Sequence, residues 1–389
     1  MNMLDSLKIN AYTALFNFGK WLQNGDKPMS PDVEGAHPPK TTHPDYSESF
    51  YFNFFNNRKG DISCFTWIGK LPNQKRINAV HLIFDGQEGL IKFDTDAYPD
   101  HTDDLRCRGI YYEMIEPLKK IRIVSKGKAL RLKDPSETLD PERIYCERIV
   151  GTKNPAHISI SKLKRLYDDF EKKSDVDFID IEMDCLFTAL SPTHNSKNLY
   201  ARGVAKQMVE KGFGLSDLNN IRKIASEHYE QAGSYNGTFK IGNRTLKIDA
   251  VGHRDHSWGI RDWFAPEKWT WLSVEFGADL GLNLCRIVIG KVDMYLGYII
   301  REGQNFPLKD CWLESEFESD GRTQKKVSFR IEDVGGFRMS VTGQVLSVCV
   351  FHLTKKEEGK HTIVNEALTE YHWDGKKAFG ISEYLHKLA

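Results

Sequence analysis

The sequence predicts an all-β protein: two antiparallel β-barrels or sandwiches in tandem, with a few short helices. Three observations carry this prediction. From Tyr46 onward the chain is a succession of short aromatic and β-branched runs, several alternating polar with apolar residues, the period of a strand with one buried face. Glycine-containing turn signals separate these runs at roughly regular spacing, as short antiparallel connections require. Finally, the chain has no GxGxxG, no P-loop and no long alternation of strand with helix, which excludes Rossmann-type and TIM-barrel enzymes.

A chain of 389 residues can build two or three domains, each with its own core. Lys+Arg and Asp+Glu both number 54, so net charge favours neither nucleic acid nor an anionic membrane as partner. The seven cysteines, Cys64, Cys107, Cys146, Cys185, Cys285, Cys311 and Cys349, are odd in number, scattered, and never spaced C-x-x-C. That argues against a disulfide framework or a cysteine zinc site and fits a reducing compartment. No run approaches about 18 consecutive apolar residues and no signal-peptide pattern opens the chain, so a soluble cytoplasmic protein is expected.

Taken in order, residues 1–45 are expected to form a helix and an arm. Leu4, Leu7, Ala11, Leu15, Phe18, Trp21 and Leu22 recur at near-helical spacing, as on a helix packed against its parent domain; peripheral membrane contact is the alternative use of such a stripe. Five prolines between Pro28 and Pro44 then exclude helix or central strand, and His37 and His43 in this arm are expected to be solvated. Residues 46–190 form the first expected β domain, with strands in "ESFYFNFF", "DISCFTWIG", "INAVHLIFDG", "GLIKFDTDAY", "CRGIYYEMI", "KIRIVSKGKALRL" and "VDFIDIEMDCLF". Helical patterning is confined to "ISISKLKRLYDDFEKK" and to "SDLNNIRKIASEHYEQ", the latter with Ser216 or Asp217 as N-cap. Residues 191–228 read as a partly helical connection, and 229–389 as the second β domain. That domain opens with hairpin turns predicted at Asn236-Gly237 and at Gly242-Asn243.

The chemistry concentrates in "GHRDHSWGIRDW", residues 252–263. On an extended strand His253, Asp255 and Ser257 share one face, and Arg254, His256 and Trp258 share the other. His256 and Trp258 would then point together into whatever the sheet encloses. Arg254, Arg261 and Asp262 are expected to hold the corner through ion pairs. His253 and His256, three apart on a strand, cannot readily face one metal, and no metal is expected. Asp255, His256 and Trp258 are the candidate catalytic residues. Bringing Asp255 and His256 into one cavity requires a β-bulge, which Gly252 and Gly259 would permit. Trp263, Trp269, Trp271, Phe52, Phe54 and Trp67 are the candidate substrate wall, although Phe50, Phe52 and Phe54 on one strand face are most simply core. Glu48 shares their parity and would be a further acid if buried; Asp262, Glu275 and Asp279 are other candidates.

The strings "HYEQAGSYNGTFKIG", "GHRDHSWGIRDW" and "YHWDGKKAFGISEYL" resemble the two-domain lipocalin-like superfamily that includes the carotenoid hydratases (hydroxyneurosporene synthases), the AttH-type proteins and some fungal Diels-Alderases. The resemblance spans residues 46–389 and is nearest to bacterial members for which the family supplies no reaction. It implies two lipocalin-like barrels whose interface, or first-barrel mouth, holds a large apolar ligand. It also implies a role for a His-x-Trp pair, here His256 and Trp258. The hydratases' Tyr-x-Asp pair has no counterpart, because "FGADLGLN" contains Asp279 without a tyrosine two residues before it.

The expected function is therefore a hydratase, isomerase or cyclase without a redox cofactor, acting on a terpenoid, carotenoid, steroid or polyketide-like molecule. A lipid or terpenoid carrier is the alternative. Protonating an unactivated alkene needs an acid whose pKa is raised by burial and an aromatic wall for the resulting cation.

Overall fold

The structure is a computed structural model and describes residues 2–22, 29–56, 62–98, 105–140, 178–195, 197–223 and 227–389. Helix α1 (Met3–Leu22) precedes strands β1 (Tyr46–Phe55), β2 (Ile62–Leu71), β3 (Arg76–Asp85), β4 (Gly89–Ala97), β5 (Arg106–Cys107), β6 (Ile110–Glu116), β7 (Lys120–Leu132), β8 (Phe178–Ala189) and β9 (His194–Asn195). After helix α2 (Ala201–Lys211) come β10 (Glu227–Ile241), β11 (Arg244–Ile260), β12 (Lys268–Gly277), β13 (Leu280–Ile289), β14 (Val292–Arg301) and β15 (Gln304–Phe317). The chain ends with β16 (Gln324–Asp333), β17 (Arg338–Lys355), β18 (Lys360–Trp373) and β19 (Lys376–Lys387).

Two closed antiparallel barrels result. In the first, β4-β3-β2-β1-β11-β10-β8-β7 lie side by side and β4 pairs with β7 to close the ring. In the second, β12 to β19 follow sequence order and β12 pairs with β19. The division at residue 229 expected from the sequence is displaced. Strands β10 and β11 are staves of the first barrel, β11 pairing with β1 from Tyr46↔Ile260 to Phe55↔Val251 and β10 pairing with β8. Turn spacing alone does not reveal that strands after a connection return to the earlier sheet.

Local differences have local causes. Asn236-Gly237 is not a turn: Gly237 lies within β10, where an added Cβ would sit 2.1 Å from the Asp184 carbonyl oxygen. Glycine serves there for close backbone approach rather than for reversal. The predicted turn at Gly242 is present, at φ +55. The expected helix at Ser216 is a 3-10 segment, Asp217–Lys223, and the chain is extended again from Glu227. Helix α2, read from the sequence as part of a connection, ends at Gly212 in the left-handed region, φ +73. The helix expected in residues 158–173 lies outside the described residues.

Strand β1 and the part of β11 that pairs with it, residues 251–260, are covered on both faces, which explains why "ESFYFNFF" lacks a solvent face. Even-numbered residues, including Phe50, Phe52, Phe54, Ile248 and Ala250, fill the first barrel with Phe187, Tyr235 and Phe239. Odd-numbered Tyr51 and Phe55 face the second barrel, meeting Trp271, Phe351, Leu368, Phe379 and Ile381. Helix α1 turns Tyr12 and Phe16 toward Val204, Met208, Ile287 and Met294 and leaves Met3, Leu4, Leu7, Leu15 and Phe18 exposed. No helix among the described residues is long and apolar enough to cross a membrane.

Candidate active site between the barrels

Strand β11 keeps unbroken register with β1 from Val251 to Ile260 and with β10 from Arg244 to Trp258. The bulge expected near Asp255 is absent, so the two faces of "HRDHSW" separate cleanly. Arg254, His256 and Trp258 enter the first barrel, and His253, Asp255 and Ser257 face the second.

Of the inward set, Arg254 and His256 are sealed and Trp258 is half-buried. The Arg254 guanidinium forks onto Glu34 at 2.7 and 2.9 Å and donates through Nε to Gln231 at 2.9 Å. Tyr229 Oη donates to Glu34 at 2.8 Å. His256 bridges Tyr229 (Nδ1, 3.1 Å) and Glu48 (Nε2, 3.2 Å). Glu48 also takes Lys70 at 2.9 Å and His37 at 2.7 Å, and His37 stacks on Trp258 at 3.7 Å between centroids. Burial opposes the charge on Glu34 and Glu48. Arg254 and Tyr229 outweigh it at the first, and His256, His37 and Lys70 at the second, so both carboxyls are held below their usual range. Burial pushes the His256 pKa down.

Three expectations are corrected here. His256 is fully buried with both ring nitrogens engaged. Trp258 is stacked within the same plug, and neither residue reaches the cleft described below. His37, expected to be solvated, closes the plug from the proline-rich arm; His43 stays exposed. Glu48 is buried as an ionised partner rather than as an acid. Arg254 does hold the corner, but its partner is Glu34, 220 residues away.

The outward face meets a cavity of about 280 Å³ between the barrels. Trp67, Trp263, Trp269 and Trp271 line it with Tyr51, Phe65 and Phe351, so four of the six expected wall residues converge. Phe52 and Phe54 do not. Both are buried in the first-barrel core, Phe52 with its ring 5.0 Å from that of Tyr112 and 5.7 Å from that of Phe187.

Two titratable pairs share this cleft. On the first-barrel wall His228 Nε2 bonds Asp255 Oδ2 and lies 3.3 Å from Glu230 Oε1. Burial disfavours a charged His228, but Asp255 and Glu230 prevail and raise its pKa. Behind them, Glu230 accepts from Trp271 Nε1 at 2.9 Å and lies 3.3 Å from His253 Nε2. His253 in turn bonds Tyr298 Oη at 2.7 Å and Glu275 at 3.0 Å. Against its burial, Glu230 and Glu275 push the His253 pKa up to about 9. On the second-barrel wall Glu366 and Glu383 stand opposite each other across β18 and β19. Trp269 Nε1 donates to Glu383, and burial raises the pKa of both acids.

Arg261 also lines the cleft, 4.9 Å over the Trp263 ring and donating to Ser257 Oγ at 3.0 Å. Asp262 accepts from the Phe264 amide at 2.9 Å and holds the turn after β11. Among the described residues, two groups bring three ligand atoms within 4.8 Å of one another: His37, Glu48 and His256, and His228, Glu230 and Asp255. Each could enclose a cation, but hydrogen bonds and ion pairs already span each group, Lys70 supplying a positive charge in the first.

His228, Glu230, Glu366 and Glu383 escaped the sequence reading. A signal existed for the last two. Each is a lone acid flanked two residues away by apolar neighbours, Val364 and Leu368 around Glu366, Ile381 and Leu385 around Glu383, on what is otherwise a buried strand face.

No curated protein matches the chain in sequence. Among solved structures, an AttH-type protein from Nitrosomonas europaea is similar at a TM-score of 0.50 and 10% identity, over 93% of this chain and 98% of that one. Kievitone hydratase from Nectria haematococca gives 0.49 at 9% identity, over 92% and 94%. The protein CghA gives 0.46 at 9% identity, over 92% and 95%. At 10% identity the first of these shares the fold, as the resemblance implied. The model of a family described as a domain of unknown function, DUF7064, matches residues 30–388.

Proposed function

We propose that this chain, which belongs to the DUF7064 family, is an enzyme that adds, removes or relocates a proton on a large hydrophobic molecule, as a hydratase, isomerase or cyclase without a redox cofactor. The observation that carries the reading is the inter-barrel cleft. One cavity combines four tryptophans with two titratable pairs on opposite walls, and an apolar pocket with few convergent polar groups is the usual form of a small-molecule site. Perturbed titratable groups in such a pocket fit acid–base work.

The roles divide by wall. Asp255, oriented by His228, is the proton acceptor. Trp263, Trp269 and Trp271 bind substrate and face developing positive charge, each contact contributing about 2 kcal/mol when desolvated. Arg261 orients Asp255 electrostatically. His256 and Trp258 support the site from behind by fixing β11.

A panel of alkene-bearing terpenoids, steroids and polyketide-like compounds, screened by mass and isomer composition, tests the reading. Asp255→Asn and His228→Gln are expected to lower turnover by about 10²–10⁴-fold while apolar-ligand affinity and melting temperature are kept. Ligand uptake with no conversion of any compound, equal in wild type and variants, would instead mark a carrier.

A further inference from the structure

The acidic pair on the second-barrel wall carries the inference, which rests on the reading above. Glu366 is 5% exposed and lines the cleft, and its Oε2 is buried without a hydrogen-bond partner among the described residues. A buried carboxylate oxygen left without a donor is costly, and two carboxylates in contact cannot both stay ionised. A single proton on the pair removes the like-charge repulsion and, by making one acid neutral, lowers the cost of the unpartnered oxygen. The surroundings choose its place. Glu383 receives the Trp269 N–H and faces the charge of Arg261, both of which favour its ionised form, whereas Glu366 has neither.

We infer that Glu366 is the proton donor of the cleft, and that it acts on a carbon–carbon double bond in a compact, ring-bearing part of the substrate. In the forward step the Glu366 O–H bond breaks and its proton forms a C–H bond with the alkene π pair, leaving a cation on the other carbon and a carboxylate on Glu366. The tryptophan faces stabilise that cation. Asp255, on the opposite wall, then takes one proton. It comes either from a water whose oxygen bonds the cation, giving an alcohol, or from the carbon beside the cation, giving a relocated double bond. One proton leaves Glu366 and one arrives at Asp255, and exchange with water after product release restores the starting state.

Size restricts the class. An apolar cavity of about 150 Å³ takes up one benzene, and the cleft is about 280 Å³. It therefore holds a two-ring portion, and a long polyene would have to extend outside it.

Two measurements on the full chain test this. The first is the infrared carbonyl band of a protonated carboxyl at neutral pH, expected in wild type and in Asp255→Asn and lost in Glu366→Gln. In Glu383→Gln, which keeps Glu366 but removes the like charge, Glu366 gives up its proton more readily, so the band should vanish at a lower pH than in wild type. The second is calorimetric titration with 1-methylquinolinium and its neutral isostere 1-methylnaphthalene, in buffers of different ionisation enthalpy. Cation binding should release a proton from wild type and none from Glu366→Gln. Turnover in Glu366→Gln should fall about 10²–10⁴-fold. A band that persists in Glu366→Gln or is missing from wild type, an unmoved band in Glu383→Gln, or cation binding to wild type without proton release overturns the assignment to Glu366 while leaving the cleft in place. If neither probe binds any of these proteins, the cleft itself is refuted as the site.

Discussion

A one-residue step along β11 moves a side chain from the sealed plug of the first barrel to the wall of the cleft, and Arg254 and Asp255 show what that step is worth. Arg254 is buried with Glu34, Gln231 and Tyr229, and removing one member of such a pair leaves an uncompensated charge. Glu34→Ala should cost about 3–5 kcal/mol in chemical denaturation, and the double change Glu34→Gln with Arg254→Met should recover part of that loss. An equal or larger loss in the double variant would show that Arg254 is held by something other than Glu34. The alternation of faces was legible in the sequence, since it needs only an extended chain. What waits on each face was not, because Glu34, Glu48 and Tyr229 reach the plug, and His228 and Glu383 the cleft, from distant segments.

Between the barrels, β10, β11, β12 and β14 contribute Glu230, His253, Glu275 and Tyr298 to one buried chain of contacts. Because the folded-state pKa of His253 is raised to about 9 from an ordinary 6.5, its contribution is fully present below about pH 6.5. It is lost as pH rises toward 9, a total of about 3 kcal/mol for such a shift. Denaturation midpoints measured across that window should fall in wild type and lose most of the slope in His253→Gln. Strand β10 offers a second test. Gly237→Ala forces a Cβ against the Asp184 carbonyl and should destabilise by about 1–3 kcal/mol, whereas a turn glycine there would tolerate asparagine. The Asn-Gly signal misled because the same dipeptide serves a hairpin or a close strand crossing, and only the third strand, β8, decides between them.

The two-barrel architecture was legible from strand rhythm and the lack of βα alternation, because both report local patterns that any packing must satisfy. The boundary was not. Closing the first ring takes β10 and β11 from beyond the α2 connection, so residues 46–190 lack two of eight staves while residues 262–389 hold every strand of the second ring. Expressed separately, the latter should show cooperative thermal unfolding and the former should not; cooperative folding of 46–190 would mean that β10 and β11 are dispensable. The cleft exists only where the rings meet, which is why its acids come from both and why no single motif announced it. Its chemistry is tested most directly by comparing turnover of Asp255→Asn with that of His256→Gln at matched melting temperature. Asp255→Asn should lose about 10²–10⁴-fold, and His256→Gln should stay near wild type. The reverse pattern, His256→Gln inactive and Asp255→Asn active, would move the chemistry inside the first barrel and contradict its assignment to the cleft.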